Sequence, residues 1–536
     1  MSHEPVDILI IGAGASGAAF AWSLSETKMD ILCLEQGDWK DPKKYPSNLS
    51  DYELYRWDTA FSSDPNERKL PEDYPINSKD SPITPLNFNA VGGGTINYMG
   101  VWPRFHPSDF KVKTLDGVAD DWPVDYELLE PYYALNDRMM GVSGLSGNPA
   151  YPPYSVPLPP LPIGKISHIL AKAYNQLGWH WWLQDTTILS KDYEGRAKCV
   201  NAGPCDLGCA SGAKASTDIT YWPRAIHQGV RLKTRCRVRE ITIDSKGMAD
   251  GVLYYDEDDQ LQEQKASVVV LACNGIGTPR ILLNSTSNMF PNGLANRSGL
   301  VGKNLMFHPL GVVVGRFDDH MEAFKGPFAN GLSSHEFYET DPNRDFVRGY
   351  ALASARGFGP LTSALGGYGG NDPLPWGELH RQNMDYMYDS IIGLSVVSED
   401  LPEECNRVTI DHQLKDSDGI PAVKVTYRQS ENNKRMINHG KARAREVLET
   451  AGAGMIMEKD LLKKAGWHLL GTARMGTDPE RSVVNSWGRS HDVKNLFIVD
   501  GSVFVTAGGV NPTSTIQAIA LYIGDQIKKK RGNLFE

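Results

Sequence analysis

Long apolar runs and basic clusters are both scarce in this sequence of 536 residues. No run approaches the roughly 18 consecutive apolar residues of a transmembrane helix. The first apolar run begins at Val6 without the basic segment that opens a secretory signal, so we expect a cytoplasmic protein. The net charge of −10 argues against nucleic acid or an anionic membrane as a partner, because both require basic patches.

Cysteine is also sparse, and the seven residues do not predict a disulfide framework. Cys199, Cys205 and Cys209 lie close together in "CVNAGPCDLGCASGAK". Three thiolates could hold an iron–sulfur cluster, whereas their spacing is poor for zinc. The alternative is a compact turn in which the cysteines pack against glycines or form one local disulfide. We expect this turn and no bound metal.

The N-terminal segment "VDILIIGAGASGAAFAWSLSE" predicts a buried strand, a glycine turn and a helix. Gly12 permits the tight turn, Gly14 lets a pyrophosphate approach the backbone, and Gly17 lets the helix pack on the strand. Glu35 ends the second predicted strand, where a carboxylate can accept hydrogen bonds from ribose hydroxyls. Together these features predict a dinucleotide-binding fold, without distinguishing NAD from FAD.

A second glycine cluster occurs in "NAVGGGTINYMGVWPRF", residues 89–105. Its three consecutive glycines could lie against a flat ring or a phosphate without interference from Cβ atoms. No lysine follows them, so the segment is not a nucleoside-triphosphate loop. Taken alone, the segment fits a flexible loop better than a ligand-binding loop.

Two features near the C-terminus have both structural and functional interpretations. In "AGWHLLGTARMG" (465–476), His468 taken by itself is typical of a buried core histidine. The segment 495–527 predicts a strand, a glycine loop and a long helix, with Asn511 as N-cap and Pro512 in the first turn.

These segments, taken in order, resemble the glucose–methanol–choline (GMC) oxidoreductase family. The resemblance rests on "IGAGASG", "VGGGTINYMG", "DWPVDYELLEPYY", "RVREI", "VVVLACNGIGTPRILL", "VGKNLMFHP", "HLLGTARMG", "NLFIVDGS" and "GGVNPTSTIQAIA", which span nearly the whole chain. The segments "WPRFHPSDF", "GAKAS" and "NRVTID" look most like bacterial sugar dehydrogenase large subunits and pyranose-oxidase-like proteins.

The resemblance implies roles for particular residues. His468 and Asn511 would face the reactive edge of a flavin, with His468 as the base and Asn511 orienting the substrate oxygen. The residues that would bind FAD are Gly12, Gly14, Ala15, Ser16, Gly17, Glu35, Gly93, Thr95, Asn97, Tyr98, Met99, Val238, Asp500, Gly501, Pro512 and Thr513. Several family members carry a flavin-linking histidine where this chain has Asn97, so the implied FAD is non-covalent.

The fold class implied by the resemblance is α/β, with two discontinuous domains. A Rossmann-like FAD-binding domain would comprise residues 1–115, 196–310 and 461–536. An α+β substrate-binding domain with a central antiparallel sheet would comprise 116–195 and 311–460, and its pocket residues would lie in 310–400.

The expected reaction is oxidation of an alcohol to a carbonyl, with a secondary hydroxyl of a sugar or glycoside as the first candidate. The alternatives are a primary or aryl alcohol oxidase, and the flavin subunit of an electron-transfer complex. The expected partner is a small alcohol or sugar. Homo-oligomers and an electron-transfer subunit also remain open, as does the electron acceptor.

Overall fold

The structure is a computed structural model that describes residues 3–56, 59–357, 359–366, 376–530 and 532. Within these ranges the strands are β1 (His3–Ile11), β2 (Ile31–Leu34), β3 (Ile76–Asp80), β4 (Trp182–Leu183), β5 (Arg231–Lys233), β6 (Arg237–Ile243), β7 (Ala249–Tyr255), β8 (Leu261–Leu271), β9 (Leu310–Arg316), β10 (Leu332–Ser334), β11 (Tyr350–Ala355), β12 (Ile391–Ser398), β13 (Arg407–Lys415), β14 (Pro421–Thr426), β15 (Met455–Lys459) and β16 (Leu496–Ile498).

The α-helices in the same ranges are α1 (Ala15–Leu24), α2 (Tyr52–Arg56), α3 (Pro65–Arg68), α4 (Val112–Asp116), α5 (Tyr126–Met140), α6 (Lys165–Leu177), α7 (Tyr221–His227), α8 (Asn274–Asn284), α9 (Pro360–Gly366), α10 (His380–Met387), α11 (Glu431–Thr450) and α12 (Thr513–Lys529). None of these helices is long and apolar enough to cross a membrane. Residues 358 and 367–375 of the expected pocket segment lie outside the described ranges.

The first sheet is built on parallel strands in the order β5-β2-β1-β8. β16 continues it in parallel on the carboxyl half of β8, and the antiparallel β6–β7 hairpin pairs with the amino half. The carboxyl halves of β1 and β8, residues 8–11 and 268–271, are continuous apolar runs, as expected for parallel strands that are covered on both faces. Helices α1, α5, α7 and α12 pack against one another beside this sheet. This is the predicted Rossmann-like architecture.

The second sheet is antiparallel throughout, in the order β15-β9-β12-β11-β10-β4. Helix α11 lies against β9 and β12, and α6 packs on α11. Their shared core includes Leu170, Tyr350, Leu394 and Leu448. The predicted α+β unit with a central antiparallel sheet is therefore present, and the fold class is confirmed.

A third sheet, β13-β14-β3, combines strands that are distant in sequence. β3 comes from the predicted FAD-binding segments, whereas β13 and β14 come from the predicted substrate-binding segments. The proposed division into domains stays a prediction, and this sheet joins the two parts.

The start of α12 differs from the sequence-based prediction. The helix begins at Thr513 with Pro512 at the N-cap position, and no side chain caps it. Asn511 is therefore not the N-cap, and Pro512 lies before the first turn. The fixed φ of a proline suits this entry to a helix, so Asn511 is free for another contact.

Candidate functional site

The two glycine-rich loops meet where β1 ends. The N–H of Gly92 donates to the carbonyl of Ala13 at 2.9 Å, and a Cβ added at Gly93 would lie 3.0 Å from Gly14 Cα. Trp222 Nε1 donates to the same Ala13 carbonyl at 2.9 Å. The structure therefore brings together two motifs that lie about eighty residues apart in the sequence.

Glycine is required at two positions of the first loop for steric reasons. Gly12 has a φ of +100°, and an added Cβ would lie 2.6 Å from the carbonyl oxygen of Ala272. A Cβ at Gly17 would lie 2.0 Å from the carbonyl oxygen of Gly12. Both distances are too short for any side chain, so the turn and the contact between helix and strand exclude other residues.

Gly14 and Gly94 instead face open space, since a Cβ added at either would meet no atom within 4 Å. Gly14 is the N-cap of α1, no side chain caps that helix, and Ala15 and Ser16 form its first turn. A helix N-terminus with free N–H groups beside open space suits a phosphate. The first loop therefore fits the pyrophosphate of a dinucleotide.

Glu35 lies directly behind this turn and is buried. Its Oε2 accepts from Ala13 N at 2.7 Å, and its Oε1 accepts from Gly37 N at 2.8 Å. Burial raises the pKa of Glu35, and these backbone N–H groups oppose the rise. These two hydrogen bonds stabilise the turn. Each oxygen retains a second lone pair, so Glu35 can also accept a hydrogen bond from a ribose hydroxyl.

Val238 lies on the edge strand β6, opposite Tyr254 of β7. Just before it, Cys236 N donates to the Glu35 carbonyl at 2.8 Å. The backbone that leads to Val238 therefore lies next to Glu35 and the predicted ribose site, although Glu35 and Val238 are about two hundred residues apart in the sequence.

The second loop is held by Lys214, which the sequence analysis did not single out. Its buried ammonium group donates to the carbonyls of Ile96 and Tyr98, both at 2.7 Å. Burial lowers the pKa of Lys214. A lysine in the quoted segment "GAKAS" was the available signal, but only the fold shows which carbonyls it binds.

The predicted flavin-lining side chains of this loop have different surroundings. Thr95 Oγ1 donates to the carbonyl of Gly92 at 2.5 Å, and Tyr98 OH donates to that of Ala215 at 2.8 Å. Asn97 Nδ2 donates to the carbonyl of Phe61 at 3.3 Å. Within the described residues Asn97 Oδ1 has no hydrogen-bond partner, although it is buried. A buried acceptor of this kind would be stabilised by a hydrogen-bond donor from a bound molecule.

Met99 does not share the cavity that Asn511 lines. It faces a separate surface pocket with Pro204, Phe324 and Arg356.

Asp500 and Gly501 connect β16 to the predicted flavin end of the site. Asp500 Oδ1 accepts from Ser502 N at 2.8 Å, and its Oδ2 accepts from Thr278 Oγ1 at 2.6 Å. Burial raises the pKa of this carboxyl. Asp500 thus holds the turn at Gly501 against α8, and the turn leads into the loop that ends at Pro512 and Thr513.

His468 belongs to a chain of hydrogen bonds from which we infer which of its ring nitrogens carries the hydrogen. His308 Nε2 lies 2.8 Å from the carbonyl oxygen of Gly508, so this nitrogen carries a hydrogen. In neutral His308, Nδ1 is then an acceptor, and it lies 2.8 Å from His468 Nδ1. His468 therefore carries its hydrogen on Nδ1, which leaves Nε2 unprotonated.

The unprotonated Nε2 of His468 points toward Asn511, whose Nδ2 lies 3.4 Å away. The structure thus brings together the two predicted catalytic residues from different loops. Asn511 also lines a cavity that it shares with Tyr151, Asp185 and His335.

Both histidines of this pair are held neutral. Burial, together with the neighbouring His308, lowers the pKa of His468 well below its usual value of 6.5. Burial lowers the pKa of His308 to about 4. A neutral imidazole with a free nitrogen beside a cavity can accept a proton from a bound hydroxyl.

Other side chains of the site were missed from the sequence. His308 stands in the quoted "VGKNLMFHP" but received no role, because a lone histidine carries no spacing signal. Asp185 and His335 also line the cavity of Asn511. Asp185 follows the two-residue strand β4, which lacks a recognisable pattern.

The cysteine segment forms a turn, and its cysteines are free thiols. Cys199 and Cys205 pack against Leu161 and Ile188, and Lys214 N donates to Cys209 Sγ at 3.3 Å. Burial raises the pKa of Cys205 to about 12. In the part of the chain that the structure describes, no three His, Cys, Asp or Glu side chains converge as a metal site. The expectation that the protein binds no iron stays a prediction.

Comparisons with known proteins agree with this architecture. Two family models described as GMC oxidoreductase match residues 6–310 and 402–520. The 2-methyl-1,2-propanediol dehydrogenase of Mycolicibacterium austroafricanum is 41% identical over 100% of this chain and 97% of its own length. The fructose dehydrogenase large subunit of Gluconobacter japonicus is 28% identical over 98% of this chain and 99% of its own.

The crystal structure of pyridoxine 4-oxidase from Mesorbium loti superposes with a TM-score of 0.62 at 16% identity. The match covers 98% of this chain and 99% of that one, and it shows a shared fold.

Proposed function

The chain belongs to the GMC oxidoreductase family, and from this we propose that it uses FAD to oxidise an alcohol CH–OH group to a carbonyl. As the first candidate substrate we propose a secondary hydroxyl of a sugar or glycoside, and as the location the cytoplasm. The observation that supports the reaction most strongly is the unprotonated Nε2 of His468, which lies 3.4 Å from the Nδ2 of Asn511, a residue that lines a cavity.

The chemistry follows from the residues in the site. Oxidation of an alcohol removes a proton from oxygen and a hydride from carbon. His468 Nε2 would take the proton, and the hydrogen bond from its Nδ1–H to His308 stabilises the resulting imidazolium. Asn511 Nδ2 would donate to the substrate oxygen and hold its C–H in one orientation. FAD, when bound, supplies the hydride acceptor.

The chain offers FAD a fitting set of groups. The open space at Gly14 and Gly94 suits a pyrophosphate and a flat ring, and Glu35 is an acceptor beside the first loop. The buried acceptors Asn97 Oδ1 and Gln517 Oε1 have no hydrogen-bond partner within the described residues. Such atoms are stabilised when a bound group supplies the missing donors.

A panel of alcohols tests the proposed function. Purified protein is mixed anaerobically with monosaccharides, glycosides, small diols and aryl alcohols while the flavin absorbance is followed. We expect sugars to bleach the flavin. Admitting oxygen then shows whether oxygen reoxidises it or another acceptor is needed. If no alcohol in the panel bleaches the flavin, the proposal is wrong.

The primary hydroxyl of a small 1,2-diol is a second candidate substrate. The relative that shares 41% of its residues over this whole chain is named for 2-methyl-1,2-propanediol. Only the primary carbinol of that compound carries the C–H that the reaction requires, since the other is tertiary. The same panel separates this candidate from sugars.

A role as the flavin subunit of an electron-transfer complex is a third candidate. It is supported by the relative that is named as a large subunit. An iron assay and the mass of the purified particle test it: about three irons per chain, or a tightly bound second polypeptide, would favour this candidate over a self-contained enzyme.

We expect acid or heat to release the flavin into solution. Asn97 stands where some family members carry a linking histidine, and an amide cannot form that bond. The protein is precipitated with acid, and the flavin fluorescence of supernatant and pellet is compared. Flavin that remains in the pellet after washing would contradict the prediction.

Replacing Asn511 with alanine should slow flavin reduction without lowering stability. Because Asn511 does not cap α12, the melting temperature should stay that of the wild type. Loss of one neutral hydrogen bond to the substrate oxygen should cost roughly tenfold in the rate. Asn511→Asp should slow reduction further, since it places an anion beside the developing alkoxide. Stopped-flow reduction and thermal unfolding measure both effects, and a destabilised alanine variant would contradict the assignment.

A further inference from the structure

The cavity that Asn511 lines contains more polar groups than the oxidation of one hydroxyl requires. Asp185, Gln184 and Asn148 face it from one part of the fold, and Ser333 and His335 from another. Tyr151, Tyr154 and Trp182 provide aromatic walls. A cavity with aromatic walls and several hydrogen-bonding groups suits a small molecule with several hydroxyls.

Asp185 is the acidic group among them, and it is held in one position. Its backbone carbonyl accepts from Trp102 N at 2.8 Å, and its Oδ2 accepts from the hydroxyl of Tyr154. The ring of Tyr154 is itself fixed, because the guanidinium of Arg104 lies 4.2 Å from its centre. Gly144 leaves room for the carboxyl, since a Cβ there would lie 1.9 Å from Asp185 Oδ1.

No cation of the described residues forms an ion pair with Asp185, although burial raises its pKa and the charge of Arg104 opposes that rise. The nearby Arg104 pairs with Asp137 at 2.7 Å, which also accepts from Trp102 Nε1 at 3.0 Å. Within the same residues, no hydrogen bond is made to Asp185 Oδ1, although the residue is only 9% exposed. This oxygen has only limited access to water, so a donor from a molecule in the cavity would stabilise it.

The side chain of Asp185 therefore has one oxygen in use and one available to a molecule in the cavity. Burial raises the pKa of Asp185 to about 7, and the Tyr154 hydroxyl opposes the rise. Above that pH the carboxylate can only accept hydrogen bonds. Its natural partner is an O–H donor, and it would repel a carboxylate or phosphate on the substrate.

We propose that Asp185, oriented by Tyr154, accepts a hydrogen bond from a substrate hydroxyl other than the one that is oxidised. The enzyme would thereby select uncharged alcohols with at least two hydroxyls over simple alcohols of the same shape. This inference rests on the proposed function, since it assigns the second contact of the same substrate. The oxidised hydroxyl stays with His468 and Asn511.

A matched pair of substrates tests the proposal. 2-Methyl-1,2-propanediol and 2-methylpropan-1-ol share a carbon skeleton and the same primary carbinol, and they differ only by the tertiary hydroxyl. Their kcat/KM values are compared in the wild-type holoenzyme and in Asp185→Asn and Tyr154→Phe. Asp258→Asn, in the exposed turn between β7 and β8, is the control.

We expect the wild type to prefer the diol. Asp185→Asn should lower kcat/KM for the diol by roughly 10- to 100-fold, the range for a hydrogen bond to a charged group, and leave the mono-alcohol nearly unchanged. Tyr154→Phe should also lower kcat/KM for the diol more than for the mono-alcohol, but by a smaller factor. Asp258→Asn should leave kcat/KM unchanged for both substrates. If only sugars are oxidised, a sugar and its monodeoxy analogues replace the pair.

A second measurement does not depend on turnover. The diol should raise the melting temperature of dithionite-reduced holoenzyme, which has no oxidised flavin to react, and Asp185→Asn should abolish that shift. Equal losses for both substrates, or an unchanged preference in both variants, would overturn the role of Asp185. Failure of every alcohol to reduce the flavin would overturn the proposed function instead.

Discussion

Replacing His468 with alanine is expected to slow reduction of the bound flavin by ~10²–10⁴-fold, while the protein still folds and still binds FAD. The reason is that His468 Nε2 is the free base of the site, and alanine leaves no group to take the hydroxyl proton. The measurement is the anaerobic reduction rate per bound flavin, taken together with the flavin content and the melting temperature. His412→Ala, at an exposed position on β13, is the control and should match the wild type.

The pH dependence gives the same prediction a second readout. Only neutral His468 accepts a proton, so the rate should fall as pH decreases through the pKa of this residue. Because burial and His308 lower that pKa well below 6.5, the wild-type rate should be nearly constant around neutral pH and fall only in acid. The alanine variant should lack this fall.

A purely structural role would give the opposite pattern. If His468 only fills the core, the alanine variant would unfold or lose FAD, and any folded fraction would reduce its flavin at the normal rate. A folded, flavin-loaded variant with an unchanged rate would show that His468 is not the base.

Replacing His308 with phenylalanine is expected to slow flavin reduction roughly 10²-fold, although His308 lies behind the base. His308 Nδ1 accepts the hydrogen of His468 Nδ1, and this hydrogen bond keeps Nε2 free. Phenylalanine fills the space without an acceptor, so His468 can populate the tautomer that carries its hydrogen on Nε2. Enzymes in which a catalytic histidine adopts the wrong tautomer lose up to about 10⁴-fold.

His308→Gln is the matched variant for this prediction. Its amide can donate to the Gly508 carbonyl and accept from His468 Nδ1, which reproduces both hydrogen bonds. We therefore expect glutamine to recover most of the rate that phenylalanine loses, at similar flavin content and melting temperature. Equal rates in the two variants would show that His308 acts through packing alone.

The sequence by itself determined the fold class, and it predicted a dinucleotide site. Gly17 is required by its contact with Gly12 within one turn and helix, and residues 8–11 and 268–271 are recognisable as apolar runs, so the local pattern is sufficient there. Gly12 is required by its positive φ and by Ala272, which follows the distant strand β8. The motifs also identified the family, because they occur in order along the chain. The predicted roles of His468 and Asn511 came from that resemblance and stay predictions.

Only the tertiary structure decided how these residues act. The tautomer of His468 depends on His308, which is 160 positions away, and on the carbonyl of Gly508. The sequence assigned Asn511 to the helix cap, a local role, whereas the backbone places Pro512 there and leaves the Asn511 amide beside His468. Asp185 and Tyr154 carry no motif and meet only because the fold closes a cavity around them. Local patterns specify elements, but hydrogen bonds between distant segments arise only once packing has brought those segments together.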